Sequence, residues 1–316
     1  MLRQCRWLRE VGTAAAAEGS KQQRDGFLSM IRRLIAWNST NAAAAAARDA
    51  SSPSPASATS VTNESSSSVT SAATVSNTTF DALEACVLSR WTCRHFDKTK
   101  GIDMKKLERV LEATTRAPTG FNLQGWYVIV VTEVPVREQL FKAALGQPQV
   151  LDAPVTVVFV GDTEPERNAP QALEMGLETG YYGPLYGPTY LRNIFYFLHG
   201  GPMQTMAAAK SVLSAWYSRA ADTPLISVPV SRTGYAWKQT MIPATTFMQL
   251  ATAAGWETCM MEGIDEEAVK RLLGVPTRCT IPVLISVGHA TAAATERAKV
   301  RSSRFSTSHS IRWNKF

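Results

Sequence analysis

Two arginines and a hydroxyl stand close together near residue 90. Arg90, Thr92 and Arg94 lie within the segment Ser89–Asp97, directly after a stretch of helical periodicity. Arginine carries planar, permanently charged donors that match the oxygens of a phosphate, and a hydroxyl adds a further donor. Arginines at a helix end are more often solvated or paired with carboxylates, so the spacing alone leaves both interpretations open.

Amide and hydroxyl side chains crowd the turn that follows a second helix. The segment Arg116–Trp126 contains Thr119, Asn122 and Gln124 between Pro118, where the helix ends, and a buried strand. Asparagine and glutamine each present a donor and an acceptor, which suits a flat heterocycle such as a flavin or a nucleobase. An ordinary turn whose amides satisfy nearby backbone groups is an equally good interpretation.

A third segment places a glycine beside an acidic residue. In Ala254–Asp265 a small-residue helix leads into a short extended piece and then to Glu262 and Gly263. Gly263 removes a side chain where the backbone could approach a ligand closely. Asp265 is expected to cap the next helix.

The last twenty residues are basic and contain no acid. They include Arg297, Lys299, Arg301 and Arg304, which follow a buried strand closely. They form either a solvated tail or a segment whose arginines fold back over the body of the domain.

The hydrophobic periodicity predicts the elements that position these segments. Apolar β-branched runs predict three buried strands, and apolar residues at helical spacing predict the helices between them. Because long helical crossings separate the strands, the pattern favours an α+β or a three-layer α/β architecture. The predicted strands are 126–131, 155–160 and 281–287, and the predicted helices are 80–88, 103–116, 135–145, 189–199, 203–219, 238–254 and 265–273.

Charge and composition exclude several functional classes. The net charge is +7, but residues 81–296 hold 19 basic and 21 acidic side chains, so a nucleic-acid partner is not expected for the body of the chain. No run reaches the roughly 18–20 apolar residues that a membrane span requires. The five cysteines form no CxxC pair and the four histidines no close pair, so neither a structural zinc site nor a catalytic metal is expected.

The N-terminal region divides into two parts by composition. Residues 1–37 combine Arg3, Arg6 and Arg9 with apolar residues, a pattern typical of mitochondrial targeting segments, although an unstructured tail with incidental arginines would look similar. Residues 38–79 are rich in Ala, Ser and Thr and cannot bury enough apolar area to fold, so a disordered linker is predicted. Residues 80–316 form the predicted folded domain.

Taken in order, these segments resemble the nitroreductase family of FMN-dependent oxidoreductases over roughly residues 80–316. Arg90–Phe96 resembles the family's Arg-Arg-Ser-x-Arg-x-Phe segment, and Ala117–Trp126 resembles its Ala-Pro-Ser-x-x-Asn-x-Gln-Pro-Trp turn. Gln149–Pro154 resembles the approach to its central strand, and Met261–Pro276 its Glu-Gly-Phe-Asp … Leu-Gly-Ile-Pro signature. Thr92 and Thr119 replace serines but keep the hydroxyl, whereas Gly125 replaces the proline of the turn.

The resemblance implies a three-layer α/β/α fold of the α+β class, with a mostly antiparallel central sheet and two entwined subunits that bind FMN at their interface. Thr92 and arginines from both ends of the domain would hold the FMN phosphate, with Arg304 preferred over Arg301. The turn residues Pro118, Thr119, Gly120 and Asn122 would reach the flavin from the second subunit. The Gly263 backbone would lie near flavin N5. The implied cofactor-binding residues are Arg90, Trp91, Thr92, Pro118, Thr119, Gly120, Asn122, Gln149, Met260, Glu262, Gly263, Arg301 and Arg304.

The same resemblance implies electron transfer from NAD(P)H to small aromatic acceptors, either nitroaromatics or quinones, by a ping-pong mechanism at one site used twice. No side chain is required as a general acid or base, so no catalytic residue is predicted.

Two alternatives to this function stay open. One is a flavoenzyme of the same fold that acts on a specific metabolite, since fold does not fix function. The other is a non-enzymatic mitochondrial scaffold or RNA-associated protein that uses its basic ends.

Overall fold

The computed structural model describes residues 77–201, 204–220 and 226–316. The predicted targeting segment and nearly all of the predicted linker lie outside these residues. The chain divides into two compact units, and the larger comprises residues 72–209 and 228–316. In the smaller, which takes in residues 210–227, the Ser214 hydroxyl donates to the Ile226 carbonyl at 2.6 Å.

A four-stranded antiparallel sheet forms the centre of the larger unit. Its strands are β1 (Trp126–Val131), β2 (Val155–Asp162), β3 (Glu257–Met261) and β4 (Cys279–Gly288). The strand order is β1-β2-β4-β3, so β1 and β3 are the outer strands. All eight residues of β2 are buried, which explains its largely apolar sequence: both faces of this strand are covered.

Helices flank the sheet on both faces. Because side chains alternate along β2, Val155, Val157 and Phe159 face one layer and Val158 and Val160 face the other. The first layer contains Leu107 and Phe247, and the second contains Leu140 and Val269. The helices are α1 (Asn77–Ser89), α2 (Met104–Thr114), α3 (Val134–Ala143), α4 (Gln149–Asp152), α5 (Ala169–Glu178), α6 (Gly187–Leu198), α7 (Thr205–Ala220), α8 (Arg232–Ala253), α9 (Glu266–Leu273), α10 (Ala292–Ala298) and α11 (Thr307–Ser310). The predicted three-layer α+β architecture is confirmed.

A third cluster of buried residues lies beside the turn that precedes β1. Leu123 packs there with Tyr190 and Ile194 of α6, Ala172 of α5 and Tyr235 of α8. This cluster fixes the turn against three helices.

Several element boundaries differ from the predicted ones for identifiable local reasons. The helix predicted over 238–254 begins at Arg232, because the Ser231 hydroxyl accepts the Gly234 N–H at 2.9 Å and caps it. The piece 257–261, expected only to be extended, is strand β3 because it pairs with β4 along its whole length. Helix α5 was not predicted. Asp103 and Asp265 cap α2 and α9, and the sequence predicts both caps. Among the described residues, no helix is both long and apolar enough to cross a bilayer.

Candidate functional site

The segment with the paired arginines lies along the outer strand β3. Helix α1 ends at Ser89, and Thr92 then forms a parallel bridge with Thr258. The Cys93 N–H donates to the Thr258 carbonyl at 3.0 Å, and the Cys93 side chain is fully buried. These contacts hold the segment in an extended conformation, with Thr92 exposed and Arg90 half-buried.

An arginine from the C-terminal segment folds back to the same place. Arg301 Nη1 donates to the Ser89 carbonyl at 2.7 Å, a bond that joins residues 212 positions apart. Arg304 instead donates to Ser302 and Ser303, its own neighbours. The structure therefore places Arg301, rather than Arg304, beside the Arg90 segment.

The guanidinium groups in this region are not neutralised. Among the residues that the structure describes, no carboxylate forms an ion pair with Arg90, Arg94 or Arg301. Unpaired guanidinium groups with a hydroxyl nearby are the donor set that a phosphate monoester requires. In this respect the residues present fit an FMN phosphate.

A chain of amide hydrogen bonds links two of the predicted cofactor residues. Gln149, only 5% exposed at the start of α4, donates through Nε2 to Gln147 Oε1 at 3.0 Å. Gln147 Nε2 in turn donates to the Gly263 carbonyl at 2.8 Å. Gln147 was not a predicted site residue, since its role depends on a contact between distant parts of the chain.

The two cysteines of this region are protonated at neutral pH. Burial raises the pKa of the Cys93 thiol to about 12. Burial also raises the pKa of the Cys259 thiol, and the nearby Arg94 charge and a hydrogen bond with Gln149 offset this effect only in part. Because the thiolate is the reactive form, neither cysteine is suited to nucleophilic catalysis.

The turn before β1 has an unusual backbone conformation. Phe121, Asn122 and Gln124 have φ values of 55°, 53° and 48°. Left-handed backbone costs roughly 1–2 kcal/mol per residue when the residue is not glycine. The Thr119 hydroxyl accepts the Gln124 N–H at 3.0 Å. This side chain therefore stabilises the turn itself, as the interpretation of the segment as an ordinary turn expects. The exposed Asn122 side chain has no hydrogen-bond partner among the described residues.

Two glycines allow the turn to approach its neighbours closely. A Cβ at Gly120 would collide with the Tyr235 hydroxyl of α8. A Cβ at Gly125 would collide with the Pro165 side chain and lie 3.3 Å from its Cα. The proline that the resembling motif has at this position would meet Pro165 in the same way, because it also carries a Cβ. A cavity of about 10 Å³ remains beneath the turn, lined in part by Thr119, Gly120 and Tyr235; it is the size of one water and far too small for a flavin.

The predicted site residues form two groups at opposite edges of the sheet. Arg90, Thr92 and Gly263 lie beside β3, whereas Thr119 and Asn122 directly precede β1. Three interstrand spacings separate these outer strands, or about 14 Å. Within one chain this separation exceeds the length of a flavin ring system.

The comparison with known families agrees with the architecture. The model of the nitroreductase family matches residues 87–289. The chain belongs to the nitroreductase family. The matched region of this nitroreductase-family chain runs from α1 to the end of β4 and includes the Arg90 segment, the turn before β1 and Gly263.

Individual relatives are distant but cover most of the family domain. A protein named NADH dehydrogenase from Thermus thermophilus is 27% identical over 183 residues, which is 58% of this chain and 75% of that protein. The crystal structure of ydfN from Bacillus subtilis aligns with a TM-score of 0.61 at 23% identity, over 74% of this chain and 99% of that one. A protein from Exiguobacterium sibiricum, whose crystal structure is a complex with FMN, aligns with a TM-score of 0.54 at 18% identity, over 73% and 97% of the two chains.

Proposed function

We propose that the protein is an FMN-dependent oxidoreductase that passes electrons from NAD(P)H to nitroaromatic or quinone acceptors. The observation that carries the proposal is the position of Arg301 beside the Arg90 segment, where the guanidinium groups have no carboxylate partner among the described residues. Guanidinium groups without acidic partners are free to form charge-assisted hydrogen bonds with the oxygens of an anion. The phosphate of FMN is such an anion, and family membership makes FMN the expected ligand.

Each group of residues has a distinct role in this proposal. Arg90, Thr92 and Arg301 hold the phosphate through charge-assisted hydrogen bonds. Gln149 and Gly263, joined through Gln147, lie along the flavin together with Trp91, Met260 and Glu262. The amide bonds fix the Gly263 carbonyl, so the neighbouring backbone N–H groups are held in a defined direction.

The second group of residues comes from a partner subunit in this proposal. Pro118, Gly120 and Asn122 precede β1, at the opposite edge of the sheet from β3, so in this proposal they serve the FMN bound by the other copy. Exposed apolar residues support an association of two copies. Phe80, Leu83 and Val87 of α1 are 47–58% exposed and share one helix face.

Arg90, Thr92 and Arg301 would hold FMN, which would supply hydride acceptance from NAD(P)H and electron transfer to an acceptor that uses the same place in turn. The protein's own contribution is to bind and orient the cofactor and to leave one face of it open. Cys93 and Cys259 take no part, because burial keeps both thiols protonated.

We also propose that residues 1–37 direct the protein to mitochondria. The support is the composition of this segment, which combines arginines with apolar residues.

The visible spectrum of the purified protein tests the proposed chemistry directly. We expect flavin absorbance that bleaches on addition of NADPH or NADH and returns when a nitrofuran or a quinone is added. Initial rates at several acceptor concentrations should give parallel double-reciprocal lines, as a ping-pong mechanism requires. A colourless protein that takes up no FMN would contradict the cofactor. A flavoprotein that reduces neither acceptor class would point to a single specific metabolite instead.

A further inference from the structure

The turn before β1 keeps an unfavourable shape, so other groups must hold it. Three of its residues lie in the left-handed region, and none of the three is glycine. Such backbone persists only where the surrounding structure determines it, and it is concentrated at functional sites. The groups that hold the turn are therefore candidates for a functional role.

The first of these groups is Gln239 of helix α8. Its Oε1 atom accepts the Gly120 N–H at 2.7 Å, across 119 positions in the sequence. Gly120 also lies so close to the Tyr235 hydroxyl of the same helix that a Cβ would not fit. The backbone at Gly120 is thus clamped directly onto α8.

The second group is Tyr190 of helix α6. Its hydroxyl donates to the Phe121 carbonyl at 2.8 Å, and its side chain is 1% exposed. The ring packs against Tyr182 and Tyr186, with ring centroids 5.2 Å and 5.8 Å apart. Burial raises the pKa of the Tyr190 hydroxyl, so it remains a donor at every physiological pH.

These two bonds bracket the residue that is free to meet a ligand. Gly120 and Phe121 are held from α8 and α6, and the Leu123 carbonyl accepts from Asn168 Nδ2 at 2.9 Å. Between them, the exposed Asn122 amide has no partner among the described residues. Asn122 is therefore the residue of the stretch 120–123 whose polar side chain forms no hydrogen bond with the described part of the chain.

We propose that Gln239 and Tyr190 are positioning residues that fix the turn 119–124 in the shape that presents Asn122 to the flavin. This inference rests on the proposed function and deepens it. Both residues act through the backbone of Gly120 and Phe121 rather than through contact with the cofactor. The inference also gives Tyr182 and Tyr186 a role, because they pack against the Tyr190 ring that holds the turn.

The test compares FMN binding by the full-length protein and four variants. Gln239→Leu removes the acceptor, and Tyr190→Phe removes only the donor oxygen; each should raise the FMN dissociation constant by about tenfold, the effect of one lost hydrogen bond. Gln249→Leu is the matched control, since it makes the same change on the same helix at a side chain with no hydrogen bond among the described residues. Gln239→Glu keeps an acceptor and should restore affinity to within about threefold of wild type.

A second measurement separates positioning from stability. With FMN saturating, the visible circular dichroism of the bound flavin should change in Gln239→Leu and Tyr190→Phe and stay unchanged in Gln249→Leu. A lower melting temperature of the apoprotein, with wild-type affinity and wild-type dichroism, would overturn the positioning role. So would a Gln239→Glu variant that binds as weakly as Gln239→Leu. If the wild-type protein itself takes up no FMN, the proposed function fails and this inference fails with it; normal wild-type binding with unaffected variants rejects the inference alone.

Discussion

Arg90 and Arg301 come from opposite ends of the folded domain, and Arg301 reaches the backbone beside Arg90 by donating to the Ser89 carbonyl. Neither arginine has an acidic partner among the described residues, whereas basic residues elsewhere, such as Lys98 and Lys270, are paired. Other surface arginines, such as Arg109, also lack a carboxylate partner among the described residues, so what distinguishes this place is that Arg301 is brought to it from the far end of the domain.

Replacing Arg90 tests the phosphate contact at the scale of one side chain. We expect Arg90→Ala to weaken FMN binding by about 1.5–3 kcal/mol, which is the worth of a hydrogen bond to a charged group. The measurement is a fluorescence titration of the apoprotein with FMN. Arg109→Ala removes the same charge from an exposed position on α2 and should bind FMN normally. Equal affinities of the two variants would contradict the phosphate role.

The sequence identified the residue types of the site but not all of their contacts. Arg90, Thr92, Asn122 and Gly263 stand in local motifs whose chemistry is visible in the amino-acid order. The contacts of Arg301 with Ser89, Gln147 with Gly263 and Gln239 with Gly120 join residues more than a hundred positions apart. Such pairs depend on tertiary packing, and a single sequence holds no signal for them.

At the scale of elements, periodicity predicted most strands and helices because their apolar residues face a packed layer. Strand β1 was predicted with its observed bounds, since its β-branched run is bordered by Gly125 and by turn residues. Strand β3 was recognised only as extended because its sequence, Glu-Thr-Cys-Met-Met, lacks a clear alternation. Its pairing with β4, rather than its own propensity, makes it a strand.

The close approach of the turn to α8 predicts a size limit at Gly120. We expect Gly120→Ala to destabilise the fold by about 1–3 kcal/mol, because the added methyl would force Tyr235 or the turn to move. Thermal unfolding of the apoprotein measures the effect. Gly101→Ala is the control, since a Cβ there meets nothing within 4 Å. If both alanine variants unfold at the same temperature, the close contact does not constrain the turn.

Helix α9 is tied to strand β4 by a carboxylate, which predicts a dependence of stability on pH. Burial alone would raise the pKa of Glu266, but hydrogen bonds from Lys270, Thr280 and the Ile281 N–H, with the Lys270 charge, bring it below its ordinary value of 4.5. A carboxylate with a lowered folded-state pKa stabilises the fold above its unfolded pKa and loses this contribution as the pH falls through the folded value.

The stability difference between wild type and Glu266→Gln should therefore be present at neutral pH and shrink below pH 4.5. Urea unfolding of both proteins over a pH series measures it. Glu108→Gln, at an exposed position of α2 for which the structure shows no ion pair, provides the comparison. A difference that stays constant down to strongly acidic pH would show that the Glu266 charge is not the stabilising feature.

At the scale of the whole molecule, the N-terminal region is predicted to serve localisation and not catalysis. Helix α1 begins at Asn77, so a chain that starts at residue 77 keeps the first element of the domain intact. We expect deletion of residues 1–76 to leave FMN binding and reductase activity unchanged and to abolish mitochondrial import. Deletion of residues 38–76 alone, which keeps the predicted targeting segment, should preserve import. If the chain that lacks residues 1–76 is still imported, or if it loses its flavin, this division of roles is refuted.

Arg90 lies at one edge of the sheet and Asn122 precedes the strand at the other edge. This separation predicts that each FMN is held by residues of two subunits. If Arg90 of one subunit and Asn122 of the other share each FMN, a variant in either residue empties both sites of its own homodimer. A mixed dimer that pairs the two variants then contains one doubly altered site and one site with only wild-type residues.

The decisive measurement is the FMN content of such a mixed dimer. Arg90→Ala, combined with Arg301→Ala, is co-expressed with Asn122→Trp, whose bulk blocks the place of the flavin, and the mixed species is isolated through two different affinity tags. Shared sites predict little FMN in either parent homodimer and about one FMN per mixed dimer. A mixed dimer as empty as its parents, or chains that remain monomeric, would contradict a cofactor held between two copies of this protein.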